Sequence, residues 1–219
     1  MRLLATKILA PEFKERLIQQ DFSVIEYPFI KIRPLPFPKD TFQKHIILTS
    51  QHATQLLLEQ ASFCSQLNDY RFFCVGEKSA KMLKAQKARV LEIAPSASAL
   101  AETIRQSYSD DAFSYCCGHK RLSIIETQLG KAKIILHIQE LYDTILNPKQ
   151  IKTTLDGILF YSPSAVESYL LKNKIDQVHC FCIGTTTAKK VRQYTQNYSV
   201  AKAPHNNFIF LDLMQHYHA

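Results

Sequence analysis

The sequence predicts an α/β protein of two parallel-sheet domains, one of them split in the chain around the other. Three observations carry that expectation. β-rich runs alternate with helical patterns along the chain, which implies parallel sheets with helices on both faces. Three sequence blocks recur in the same order in the two halves. A proline-rich stretch and a polar returning stretch mark where the chain would pass between domains.

Ile47-Leu48-Thr49-Ser50-Gln51-His52-Ala53 resembles Leu159-Phe160-Tyr161-Ser162-Pro163-Ser164-Ala165. Downstream, Phe73-Cys74-Val75-Gly76-Glu77-Lys78-Ser79-Ala80-Lys81 parallels Phe181-Cys182-Ile183-Gly184-Thr185-Thr186-Thr187-Ala188-Lys189, and Ala94-Pro95 is echoed by Ala203-Pro204. Matched blocks in matched order indicate an internal duplication. In chain order, strands are expected near residues 2–6, 23–27, 45–48, 71–75, 89–93, 113–117, 133–138, 157–161, 178–183 and 198–201. Helices in the middle region are expected to begin near Gln51, Glu77, Ser96 and Lys120. Residues 28–38 alternate apolar and basic side chains between prolines, a pattern of exposed extended chain. His137–Thr144 returns before Asn147-Pro148. The expected boundaries are 1–30 plus 150–219 for the split domain and 40–138 for the continuous one. Residues 31–39 and 139–149 form a two-strand hinge.

The 219 residues carry 27 Lys and Arg against 19 Asp and Glu, a net charge of +8, six of it in residues 1–37 and 145–219 taken together and not gathered in a tail. A hydrophobic fraction of 46% with 21% charged residues argues against disorder. Apolar runs such as Ile46-Ile47-Leu48 are strand-sized, so neither a membrane span nor a secretory signal is expected. Six cysteines at 64, 74, 116, 117, 180 and 182 form no C-x-x-C pair. Most lie in apolar runs and read as small buried hydrophobes in a reducing cytoplasm.

In open parallel sheets, ligands bind beyond the carboxyl ends of the strands. The repeated blocks fall at such places. Ser162-Pro163 reads as a helix N-cap followed by N1, and Thr49-Ser50 plays the same part in the other half. Gly76 and Gly184 end strands just before Lys78-Ser79 and Thr186-Thr187. Backbone N–H groups and the positive helix ends make these four corners suitable for carboxylate or phosphate, although helix capping alone also explains each serine. No G-x-x-x-x-G-K-[ST], G-x-G-x-x-G or G-x-S-x-G is present, which disfavours nucleotide loops and a hydrolase triad. The histidines are scattered, with His216 and His218 near the terminus. Lysines 81, 84, 87, 189 and 190 fit solvated helix faces. Tyr142 stands out in the polar returning segment, where packing and a functional hydroxyl are both open.

Leu48-Thr49-Ser50 with Ala53, Val75-Gly76 with Ser79-Ala80, Leu141-Tyr142-Asp143-Thr144, Phe160–Val166 and Ile183–Ala188 together resemble the uroporphyrinogen-III synthase family over essentially the whole chain. The resemblance implies two flavodoxin-like domains joined by a two-strand ladder. It implies cyclising dehydration of hydroxymethylbilane to uroporphyrinogen III, with the last pyrrole ring inverted and no metal or organic cofactor. Tyr142 matches the family's hinge tyrosine and is the expected catalytic donor. Thr6, Lys7, Thr49, Ser50, Gln51, Gly76, Lys78, Ser79, Ser162, Ser164, Ala165, Gly184, Thr186 and Thr187 are expected to bind the substrate's eight carboxylates. Family members carry Thr-Arg where this chain has Thr6-Lys7, and a glycine where it has Lys87-Ala88. The expected partner is this small molecule, with transient handover from the bilane-forming enzyme. The chain is expected to be a cytoplasmic monomer that binds neither nucleic acid nor membrane. The alternative is a non-catalytic tetrapyrrole- or polycarboxylate-binding, regulatory module of the same fold. Nucleic-acid binding would need a basic stripe with interleaved aromatics, and the basic residues here are dispersed.

Overall fold

The computed structural model describes residues 1–37 and 42–217. Residues 38 and 39 of the expected hinge, residue 40 at the start of the expected continuous domain, and His218 lie outside the described residues. In chain order the elements are β1 (Arg2–Ala5), α1 (Pro11–Ile18), β2 (Ser23–Glu26), β3 (Ile30–Pro34) and β4 (His45–Leu48). Then come α2 (Gln51–Leu58), α3 (Ala61–Cys64), β5 (Arg71–Val75), α4 (Glu77–Ala85), β6 (Val90–Ala94), α5 (Ala97–Ser107), β7 (Phe113–Gly118) and α6 (Ile124–Lys131). The chain ends with β8 (Leu136–Leu146), β9 (Gly157–Phe160), α7 (Pro163–Leu170), β10 (His179–Cys182), α8 (Thr185–Val191), β11 (Tyr198–Val200) and α9 (Asn206–Tyr217).

These elements form two compact units, Met1–Lys31 with Ile145–Ala219, and Ile32–Thr144. The split unit holds a parallel sheet in the order β11-β10-β9-β1-β2. The continuous unit's sheet runs β3-β8-β7-β4-β5-β6, parallel from β8 to β6. Setting β4, β5, β6, β7 and β8 against β9, β10, β11, β1 and β2 superimposes the two orders. The split sheet is therefore the continuous one with its chain start moved, and the repeated blocks fall on matching strands.

Local chemistry explains the elements. β9 and β7 are buried at every position, as central strands covered on both faces must be. In the continuous unit, Ala53, Leu57, Ala80 and Leu83 of α2 and α4 bury one face of the sheet, and Leu100, Ile104, Ile125 and Leu129 of α5 and α6 bury the other. In the split unit, α7 and α8 cover one face with Val166, Tyr169 and Val191, while α1 and α9 cover the other with Phe13, Leu17 and Ile209. α4 ends in a Schellman turn: Ala88 N donates to Leu83 O at 3.1 Å and Lys87 N to Lys84 O at 2.9 Å. Lys87 there takes φ 60°, the left-handed conformation for which glycine is the unstrained residue.

Two expectations need correction. The strand expected at 133–138 begins only at Leu136 and runs on without a break to Leu146 as β8. Lys133 turns the chain with φ 58° after α6, and pairing with β7 holds β8 extended through the polar Gln139 and Glu140. β3 lies beside β8 in the sheet. The helix expected to start near Lys120 starts at Ile124 instead. Residues 119–123 are held in a non-helical turn because the Arg121 guanidinium binds the carbonyls of Gly118 and His119.

Candidate functional site

Each sheet reverses its strand order at one place, between β4 and β7 in one unit and between β9 and β1 in the other. Such a switch point leaves a crevice at the carboxyl ends of the strands. Thr6, Lys7, Thr49, Ser50, Tyr142, Ser162 and Ser164 lie at the strand ends that flank these points, while the Gly76 and Gly184 corners lie one strand further out.

In the continuous unit, β4 ends at Leu48, and Ser50 caps α2. The Ser50 hydroxyl accepts from Ala53 N at 3.5 Å and shares a 2.8 Å hydrogen bond with the Tyr142 hydroxyl. Thr49 Oγ1 pairs with the Tyr115 hydroxyl at 2.9 Å. Two tyrosines thus reach the end of β4 from opposite faces of the sheet. Tyr142 comes from β8 and crosses the end of β7. A Cβ on Gly118 would lie 2.7 Å from Tyr142 Cε2 and Cζ, so only glycine lets the ring pass. The His52 ring lies edge-on to Tyr142, with centroids 5.8 Å apart.

The sequence pattern puts Tyr142 in a polar hinge. Instead it is 7% exposed and packs with Leu141, Cys116 and the α2–α4 face. Burial raises its pKa, partly opposed by the Ser50 hydrogen bond, so the phenol keeps its proton at neutral pH. Tyr115, more deeply buried, is pushed up to about 12. Tyr115, Gly118 and His52 are the neighbours that motif reasoning did not single out. His52 sits inside a repeated block, but the other two become visible only from the strand register.

The neighbouring corner, at the end of β5, is built differently. Gly76 occupies the N-cap of α4 with φ 80° and no side-chain cap, so the first-turn amides of α4 receive no side-chain oxygen. Lys78 and Gln51 are exposed. In the split unit, Ser162 caps α7 by accepting from Ala165 N at 3.1 Å, with Pro163 at N1. Gly184 is the N-cap of α8 and brings no side-chain cap, with Thr186 exposed beside it. Lys7 Nζ lies 4.0 Å above the ring centroid of Tyr161, at the end of β1, and Ser164 is half-buried.

Four expected binding residues are placed where their side chains cannot meet a ligand. Thr6 is 1% exposed, donating to Leu159 O at 2.8 Å and accepting from Tyr161 N at 3.3 Å, so its hydroxyl ties β1 to β9. Ser79 and Thr187, in the first turns of α4 and α8, are 1% and 3% exposed because helical periodicity turns the third position inward. Ala165 is buried and its amide is taken by Ser162.

The cysteines at 74, 116, 117, 180 and 182 are buried and unbridged; burial pushes the thiols of Cys74, Cys117, Cys180 and Cys182 up to about 12. Among the described residues no group of three or more His, Cys, Asp or Glu is placed to hold a metal ion. No described helix is long and apolar enough to cross a membrane.

Parallel sheets whose strand ends carry hydroxyl pairs and uncapped helix amides define an α/β protein suited to a small, polyanionic molecule. The family model of uroporphyrinogen-III synthase HemD matches residues 11–209, and the chain belongs to that family. Among solved structures, the uroporphyrinogen-III synthetase of Helicobacter pylori is similar with TM-score 0.74 and 16% identity over 98% of this chain and 99% of that one. A mutant uroporphyrinogen III synthase of the extremely thermophilic bacterium Thermus thermophilus is similar with TM-score 0.69 and 14% identity over 98% of both chains. At such identities these likenesses bear on the fold. No curated protein matches the chain. The activity is that of the family, the cyclisation of hydroxymethylbilane to uroporphyrinogen III.

Proposed function

We propose that the Tyr142 hydroxyl, held at the end of β4 by Ser50, is the proton or hydrogen-bond donor that assists departure of the bilane's hydroxyl as water. The single observation supporting this is the 2.8 Å Tyr142–Ser50 pair at the sheet's switch point. A phenol is a modest acid, so its contribution is about 10²-fold at most, the low end of general-acid catalysis. The larger part of the acceleration comes from folding the bilane so that the last pyrrole meets the resulting cation.

Carboxylates of the substrate bind at the strand-end corners of each unit. The glycine corners at Gly76 and Gly184 offer first-turn amides without a competing side-chain cap, aided by the exposed Lys78 and Thr186. Thr49 with Gln51, and Ser162 with Ser164, contribute hydroxyl and amide donors, and Lys7 supplies a cation. The reaction needs neither a metal nor an organic cofactor. The protein works as a cytoplasmic monomer that takes its substrate from the bilane-forming enzyme, without nucleic acid or membrane.

A coupled assay tests this. Hydroxymethylbilane is generated in situ and the uroporphyrin isomers are resolved after oxidation. Isomer III above the spontaneous isomer I background is expected, with Tyr142→Phe lowering kcat roughly 10- to 100-fold at nearly unchanged KM. Isomer I alone from folded protein would refute catalysis, and a fully active Tyr142→Phe would refute the donor role.

A further inference from the structure

The register of β7 against β8 slips by one residue beside Tyr142. Cys117 is opposite Glu140, but Gly118 is opposite Tyr142, which leaves Leu141 as an extra residue. Strict alternation along β8 would place Tyr142 on the sheet face of Tyr115 and Cys117. The bulge instead puts it with Leu141 and Cys116 on the α2–α4 face, where Ser50 lies. Bulges re-aim side chains in this way at functional sites.

One guanidinium spans the slip. Arg121 Nη1 donates to Gly118 O and His119 O, both at 3.2 Å, and to Glu140 Oε1 at 2.7 Å. Its Nε donates to Glu126 Oε1 of α6 at 2.6 Å. The other oxygen of Glu140 meets His119 Nδ1 at 2.7 Å, and His119 N donates to Tyr142 O at 2.8 Å. The end of β7, the residue before the bulge and the first turn of α6 are thus joined through one side chain that is 20% exposed. We propose that Arg121 is a positioning residue for cyclisation: it clamps the β7–β8 bulge and so aims Tyr142 at Ser50. This rests on Tyr142 acting as the donor. A lysine keeps the charge but lacks the planar fork that reaches two carboxylates and two carbonyls together.

The test uses the full chain labelled with 3-fluorotyrosine, the Tyr142 fluorine signal being assigned as the one lost in Tyr142→Phe. In Arg121→Lys that signal shifts or broadens, and kcat falls about tenfold with KM little changed, as for a displaced reacting group. Glu140→Gln, which keeps an acceptor for Arg121, shifts the signal in the same direction by less. In the Tyr142→Phe background, Arg121→Lys costs less than about twofold, because residues acting as a unit are not additive. An unmoved fluorine signal in Arg121→Lys, or losses that multiply in the double variant, overturns the clamp. Full activity of Tyr142→Phe overturns the donor role instead, so the two failures are distinguishable.

Discussion

Gly118→Ala tests the geometry of the Tyr142 crossing without removing a functional group. The new Cβ would sit 2.7 Å from Tyr142 Cε2 and Cζ and 3.0 Å from its hydroxyl oxygen. Comfortable carbon–carbon contact begins near ~3.5 Å, so the ring must retreat by roughly 0.8 Å. Gly118 does not use a left-handed backbone, so this cost is steric rather than conformational. A retreat of that size stretches the 2.8 Å bond to Ser50 past useful length. Stability should fall by about 1–3 kcal/mol for overpacking, including ~1 kcal/mol for the lost hydrogen bond. A ~1 Å misplacement costs on the order of 10²-fold in rate, so Gly118→Ala should approach the loss expected of Tyr142→Phe. The assay is kcat for isomer III beside a thermal melt, on both single variants and the double. Wild-type kcat in a folded Gly118→Ala protein would refute the reasoning, and so would a double variant whose losses multiply.

Two further outcomes follow from the fold. Lys87→Gly should stabilise the protein by about 0.5–1 kcal/mol in chemical denaturation, because it relieves a left-handed lysine in a Schellman turn whose bonds it leaves intact; a destabilised variant would contradict that account. Burial holds His45 and His179 below the ordinary histidine pKa, against the opposing pull of Asp111 and Asn197 respectively. Their folded state binds fewer protons than the unfolded chain, so the stability from keeping them neutral is full above pH 6.5 and is lost as pH falls through that value. The melting temperature should drop between about pH 7.5 and about pH 5.5, and His45→Phe or His179→Phe should flatten that dependence.

The α/β alternation and the parallel sheets were legible because each strand is a short apolar run bounded by a cap or glycine, as at Leu48-Thr49-Ser50 and Val75-Gly76. Ser162-Pro163 announced its helix start for the same local reason. β8 was not legible at either end. Gln139 and Glu140 read as a polar break, and only their partners across the sheet, Cys116 and Cys117, keep the strand going. The start of α6 was hidden because Arg121 takes the backbone carbonyls that early helix turns would otherwise use. At the site, the corners were legible and the orientations were not. Thr6, Ser79 and Thr187 carry suitable hydroxyls, yet strand pairing and helical phase turn them inward.

The duplication also conceals a division of labour that only the geometry exposes. Ser50 and Ser162 occupy equivalent repeat positions and both cap a helix. The Ser162 cap bond is 3.1 Å and its hydroxyl has no tyrosine competing for it among the described hydrogen bonds; the Ser50 cap bond is 3.5 Å, with the Tyr142 hydroxyl 2.8 Å away. One serine hydroxyl satisfies a helix end well or orients a phenol well, and at Ser50 the shorter bond goes to the phenol. The topology shows why the second copy has no counterpart. The strand matching β8 is β2, which ends at Glu26, whose carboxylate instead accepts from Leu9 N at 2.6 Å and pairs with Lys14. Carried along the strand registers, the position matching Gly118 is Ile8, just past the end of β1, where a side chain stands in place of the glycine. A glycine at the end of β7 and a strand prolonged past a bulge thus distinguish the capping corner that carries a phenol from its repeat equivalent.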